Sequence, residues 1–99
     1  MASNTTNPTI ANATSVTILA AETTRRGLLI QNNSAADIMI NLEGGTLTGI
    51  VPTETNEGIV LDAGASISLE GYGVCPTGAI TAYQTSGASI NTVTVVSFT

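Results

Sequence analysis

The chain predicts an all-β fold. Specifically it predicts one small antiparallel β-sandwich or barrel, Ig-like or jelly-roll-like, with about seven short strands and an extended N-terminal arm. Three observations carry this reading. From Thr14 onward apolar residues recur with period two, as in "TSVTILA" (14–20) and "DIMINLE" (37–43). Clusters of Gly, Asn, Asp, Ser and Pro interrupt these runs every roughly 8–12 residues, the cadence of all-β domains. No stretch shows the 3.6-residue apolar stripe of an amphipathic helix.

Residues 1–13, "MASNTTNPTIANA", are small and polar, and Pro8 lacks a backbone donor. They read as an arm extended outside a β-sandwich domain of residues 14–99 and held in place by something other than that domain. In the first strand, Val16 and Ile18 share one face, and Thr17 and Leu19 share the other. "LLIQN" (28–32) and "DIMINLE" flank "NNSAAD", whose Asn and Asp side chains bond back to nearby backbone. Residues 28–42 are therefore expected to form a β-hairpin, with Ile38, Ile40 and Leu42 alternating against Asp37, Met39 and Asn41.

The segment 44–58 is the least regular. Thr46–Val51 reads as a short edge strand that Pro52 ends, with Leu47 and Ile50 as its apolar side chains. "GIVL" (58–61) resumes strand character, "DAGA" turns, and "SISLE" (66–70) sets Ile67 and Leu69 against Ser66 and Ser68. "EGYGVCPTG" (70–78) is a Gly/Pro corner. "AITAYQ" (79–84), the turn "TSGAS" and "INTVTVVSF" (90–98) complete the pattern, and the sequence itself displays no internal repeat.

Composition narrows the function. Ninety-nine residues make one domain, and the 42% hydrophobic content is aliphatic, because the aromatics are only Tyr72, Tyr83 and Phe98. A small domain with thin aromatic packing gains from partners. Charged residues are 9% of the chain, far below the usual quarter, and the net charge is −5. Two arginines cannot make the basic face that phosphate contacts require, so nucleic acid is not an expected partner. No apolar run approaches the roughly 20 residues that span a bilayer, and the start lacks the basic and apolar regions of a signal peptide. No membrane partner is expected, and the lone Cys75 fits synthesis in a reducing cytosol.

Catalytic chemistry finds little support. There is no histidine, the commonest general base and metal ligand. Cys75 is followed by Pro76 in a turn and lacks the cationic surroundings that make a thiol reactive. Gly71 and Gly73 begin a Gly-x-Gly, but Pro76 stands where a dinucleotide fingerprint needs its third glycine, and no βαβ unit surrounds it. Glu54 and Glu57 with Asn56 offer too few oxygens for calcium and lack the spacing of a known loop. No enzyme activity, cofactor or metal is expected.

Arg25 and Arg26 are the only cationic side chains, and they stand side by side before an apolar run. Consecutive residues entering a strand point to opposite faces. One arginine is thus expected to hold the fold, by a bidentate pair with Glu22, Glu43 or Glu70, while its neighbour faces a partner.

Three segments resemble a known group. They are "SVTILAAETTRRGLLIQNNSAADIMINL", "GIVLDAGASISL" and "GAITAYQTSGASINTVTVVSF". Together they look like the small β-sandwich virion proteins of tailed bacteriophages, over roughly residues 14–98. In that group a strand is followed by Arg-x-Gly-Leu-x-Ile-x-Asn-x-Ser, matched here by Arg25, Gly27, Leu28, Ile30, Asn32 and Ser34. A Leu-x-Pro/Ala-Gly-x-Ser turn is matched by Leu61, Ala63, Gly64 and Ser66, with Ala63 in place of the frequent proline. A Gly-x-Ile-x-Ala strand is matched by Gly78, Ile80 and Ala82. The arm and the 43–57 segment have no counterpart.

The resemblance implies a capsid decoration (cement) protein, made in the host cytoplasm and resident on the virion surface. Its partner would be the lattice of major capsid protein, whose neighbouring subunits it bridges to stabilise the head. It would act as a homo-oligomer, a dimer or trimer at a symmetry axis, because exposed edge strands need covering. The contact residues expected on this reading are Asn4, Thr5, Thr6, Asn7, Pro8, Thr9 and Ile10 of the arm, with Arg25, Arg26, Leu47 and Ile50. The alternative is a tail or fibre module, or a binder of host-surface carbohydrate, for which only Tyr72 and Tyr83 could stack on sugars.

Overall fold

Val, Ile and Thr crowd the extended segments because branched side chains pack well on a pleated surface. A computed structural model describes residues 2–49, 58–70 and 75–99. Within them lie eight strands: β1 (Ser3–Thr6), β2 (Val16–Leu19), β3 (Gly27–Asn32), β4 (Ile38–Asn41), β5 (Ile59–Leu61), β6 (Ser66–Glu70), β7 (Ile80–Tyr83) and β8 (Val93–Phe98). They form two four-stranded antiparallel sheets, ordered β1-β8-β3-β6 and β2-β7-β4-β5. The expected all-β sandwich is what the chain adopts.

The core lies between the sheets. Leu28 and Ile30 of β3 and Val93 and Val95 of β8 meet Ile38 and Ile40 of β4 and Ile80 and Ala82 of β7. Alternation along β8 is regular, with Val93, Val95 and Ser97 inward and Thr94, Val96 and Phe98 half-exposed. In β2 the register against β7 shifts between Thr17 and Leu19, so Leu19 packs on the same core as Val16 and Ile18 instead of sharing a face with Thr17.

Among the described strands, only β4 and β5 are consecutive in sequence and in the same sheet. Every other connection crosses the sandwich. The hairpin expected over residues 28–42 is therefore replaced by an arch, with β3 in one sheet and β4 in the other. The cause is Asn32, which is fully buried. Its Nδ2 donates to the carbonyls of Ala36 (2.8 Å), Leu61 (3.0 Å) and Asp62 (3.2 Å), while its Oδ1 accepts from Ser34 N (3.0 Å). A side chain that satisfies so many stranded carbonyls holds the chain where it leaves one sheet for the other.

The connection from β7 to β8 repeats this device. Gln84 is also fully buried; its Nε2 donates to Ala88 O (2.7 Å) and Ile10 O (2.9 Å), and its Oε1 accepts from Ser86 N (2.6 Å). In both arches an amide side chain, a serine two residues on and an alanine carbonyl four residues on close the same ring of bonds.

The N-terminal segment differs from expectation. Ser3–Thr6 is extended, but as an edge strand paired with β8 of its own chain, in the register Ser3–Phe98, Asn4–Ser97, Thr5–Val96 and Thr6–Val95. Ile10 is fully buried in the core and bridges Ile90, with N–O distances of 2.7 and 3.0 Å. β8 and Ile90 of the same chain pair with this segment, and Ile10 supplies the apolar anchor that "MASNTTNPT" lacks.

Thr46–Gly49 does not form the expected edge strand; Ile50 and Val51 lie outside the described residues. Leu47 instead packs with Met39, Tyr83 and Val60 in a second cluster on the outer face of the β2-β7-β4-β5 sheet. Met39 is thereby buried although it alternates with the inward Ile38 and Ile40. Bonds from Leu47 N to Ser15 Oγ (3.1 Å) and from Thr81 Oγ1 to Gly45 O (2.6 Å) fasten the segment over that face.

Candidate functional site

The adjacent arginines separate as the strand geometry requires. Arg25 is 4% exposed, while Arg26 faces outward. The staple is made to carbonyls, not to the carboxylate pair expected. Arg25 Nη1 donates to Pro76 O (2.7 Å) and Gly78 O (3.1 Å), and Nη2 donates to Ala20 O (2.7 Å). The guanidinium joins the β2–β3 connection to the β6–β7 connection, two segments that cross the sandwich at the same end. Glu22 N to Thr77 O (2.8 Å) reinforces that join. A fork of fixed N–H donors suits several carbonyls at once, which a lysine could not reach. Arg25 Nε is buried and finds no hydrogen-bond partner among the described residues.

Glu22 faces solvent and serves its own turn. Its carboxylate accepts from Thr24 Oγ1 (2.7 Å) and Thr24 N (3.1 Å). Those bonds hold its pKa below the usual carboxylate range, with the nearby Arg25 charge adding to them. The small stabilisation they bring is present at neutral pH and fades as acid protonates the group.

Cys75 is buried at the edge of the core. Burial pushes its thiol pKa upward, and the neighbouring Arg25 charge only partly opposes this. That is the reverse of what a nucleophile needs. Among the described residues no group of three His, Cys, Asp or Glu side chains is placed to hold a metal, and no helix is long and apolar enough to cross a membrane. Glu54, Asn56, Glu57, Gly71, Tyr72 and Gly73 lie outside the described residues.

Among the described residues, the expected contact residues do not form one patch. Asn4, Thr5, Thr6, Asn7 and Thr9 are at the surface, with Pro8 half-buried among them. Asn4 and Thr6 share an open cleft of about 500 Å³ with Thr17, Glu22, Arg25 and Ser97. Ile10, Leu47 and Arg25 are spent inside the fold, so they are corrected from contact residues to structural ones. Ile50 is outside the described residues. Tyr83 is buried beside Met39 and Leu47, so it presents no ring to a sugar. A second open cleft of about 530 Å³ separates the two amide-closed arches, lined by Asn33, Ser34, Ser86 and Thr92 among others.

Asn32 and Gln84 are buried amides that their polar sequence context does not flag. The available signal was the shared spacing of amide, serine and alanine in "NNSAA" (32–36) and "QTSGA" (84–88). No protein-family model, no curated protein and no solved structure matches this chain.

Proposed function

We propose that the protein decorates the outer surface of a tailed-phage head, where it lies across neighbouring major capsid subunits and stiffens the shell. The observation that carries this reading is where the motif of the resemblance falls. Arg25, Gly27, Leu28, Ile30 and Asn32 are all buried, and Ser34 bonds to Asn32. The residues that carry the resemblance are among those that build the sandwich, which supports the reading. A surface rich in hydroxyls and amides, with a net charge of −5, repels the packaged genome and favours the outside of the shell. Many copies on one closed lattice add small individual contributions into substantial resistance to internal pressure.

Imaging an intact particle tests the proposal. Copies distributed over the whole shell support it; copies confined to one vertex or to the tail overturn it. A truncation adds a finer test. Removing residues 2–6 takes away β1 alone and should leave the domain folded with weakened head binding, read as lower occupancy and a lower head-disruption temperature. Extending the deletion through residue 13 removes Ile10 and should cost about 2–5 kcal/mol of domain stability. Full occupancy by the shorter truncation would show that β1 takes no part in binding.

A further inference from the structure

We propose that β1 is an exchangeable strand, donated between copies of this chain so that Ser3–Thr6 of one copy pairs with β8 of another. This goes beyond the decoration reading and stands or falls independently of it.

The pairing of β1 is unusual in what it lacks. All four of its residues are exposed. Its inward-facing side chains, Asn4 and Thr6, line an open cleft beside Ile18 and Leu19 and remain exposed. What holds the strand is its ladder to β8, extended by Thr99 N donating to Ala2 O (2.9 Å). An exposed edge strand whose main tie is its backbone ladder opens at lower free energy than the whole domain. Four residues later the picture reverses, because Ile10 is fully buried and tied to Ile90. Between the loose strand and the firm anchor lie only Asn7, Pro8 and Thr9. Proline fixes its own φ and biases Asn7 toward extended backbone, so the linker is short and stiff. The linker runs in line from Thr6 opposite Val95 to Ile10 opposite Ile90, so β1 can swing out about these three residues while Ile10 stays seated.

The occupant follows from identity. When β1 leaves, β8 becomes an edge with a register and side-chain pattern already matched to one sequence, that of β1 itself. A second copy restores every lost hydrogen bond, so exchange costs association entropy but no bonding. Three linker residues span at most about 10 Å, so the two β8 edges must come side by side, as on a two-fold axis.

The test uses Thr5 and Val96, which face each other across the ladder on the outer surface. In a Cys75→Ser background, Thr5→Cys and Val96→Cys chains are purified separately, mixed while folded, and oxidised mildly. Exchange predicts a disulfide-linked heterodimer joined at positions 5 and 96, forming faster than global unfolding. Chains that remain monomeric, or that link only 5 to 5, overturn the proposal. Should the Cys75→Ser background misfold, isotope-filtered NMR on mixed labelled and unlabelled native chains reads the same contact. A Thr5–Val96 cross-peak between chains supports exchange, and its absence at millimolar protein overturns it.

Discussion

Arg25→Met lowers the unfolding free energy by about 2–4 kcal/mol, whereas Arg26→Glu changes it by no more than about 0.5–1 kcal/mol. The first value follows from three carbonyls, on Pro76, Gly78 and Ala20, that lose their donors together. Each stranded carbonyl costs about 1 kcal/mol or more, and relief from burying a cation offsets part of the sum. For a domain of this size the loss corresponds to a melting temperature lower by roughly 10–20 °C. Arg25→Lys should recover little, because one ammonium cannot reach carbonyls on two connections at once. Thermal denaturation of the three variants checks this. Equal effects at positions 25 and 26 would refute the division of labour between the arginines.

The second large effect is expected at Asn32. Asn32→Asp keeps the shape and removes both donors, turning a carboxylate toward the carbonyls of Ala36, Leu61 and Asp62. At neutral pH it should destabilise the domain by about 4 kcal/mol, near the upper end for a single substitution. The pH dependence gives the signature. Burial among carbonyl oxygens raises the folded-state pKa of the new group above its unfolded value of about 3.9. The variant is therefore least impaired below that pH, where its protonated form still donates one bond. It should lose stability at up to about 1.4 kcal/mol per unit as pH rises toward the folded pKa. Asn32→Leu removes the same donors without adding a titrating group, so its deficit should be flat across this range. Denaturant unfolding of both variants from mild acid to neutral pH distinguishes them, and parallel curves would show that the carbonyls around residue 32 are satisfied in some other way. Gln84→Glu should follow the same pattern, because Gln84 closes the other arch with bonds to Ile10 and Ala88.

Three buried polar side chains tie distant segments of the domain together. Asn32 ties the β3–β4 arch to the end of β5, Gln84 ties the β7–β8 arch to the buried Ile10, and Arg25 ties two connections at the end where β2 leads into β3. Nearly all neighbouring strands in the sheets are distant in sequence. Folding should accordingly be slow, in the millisecond-to-second range usual for sandwiches, because little forms before the sheets meet.

Local chemistry determined the strands themselves. Branched residues alternating with polar ones placed β2, β3, β4, β6, β7 and β8 within a few residues of where they lie, and Gly64, with φ of 82°, holds the turn read in "DAGA". The same chemistry placed a turn after Asn32 and divided the two arginines between interior and surface. Periodicity records which side of a strand is apolar, but it is blind to which sheet the next strand joins. A hairpin and an arch leave the same local signature, and the choice fell to a buried amide whose partners on Leu61 and Asp62 lie about 30 residues away. Ile10 and Leu47 were similarly ambiguous, since a lone apolar residue in a polar segment suits a partner's surface or its own core equally well. Only the assembled sheets bury both, Ile10 against Ile90 in the core and Leu47 against Met39 and Tyr83 on an outer sheet face. The carbonyls that Arg25 bonds to are likewise properties of two loops brought together, which no reading of nearby carboxylates could anticipate.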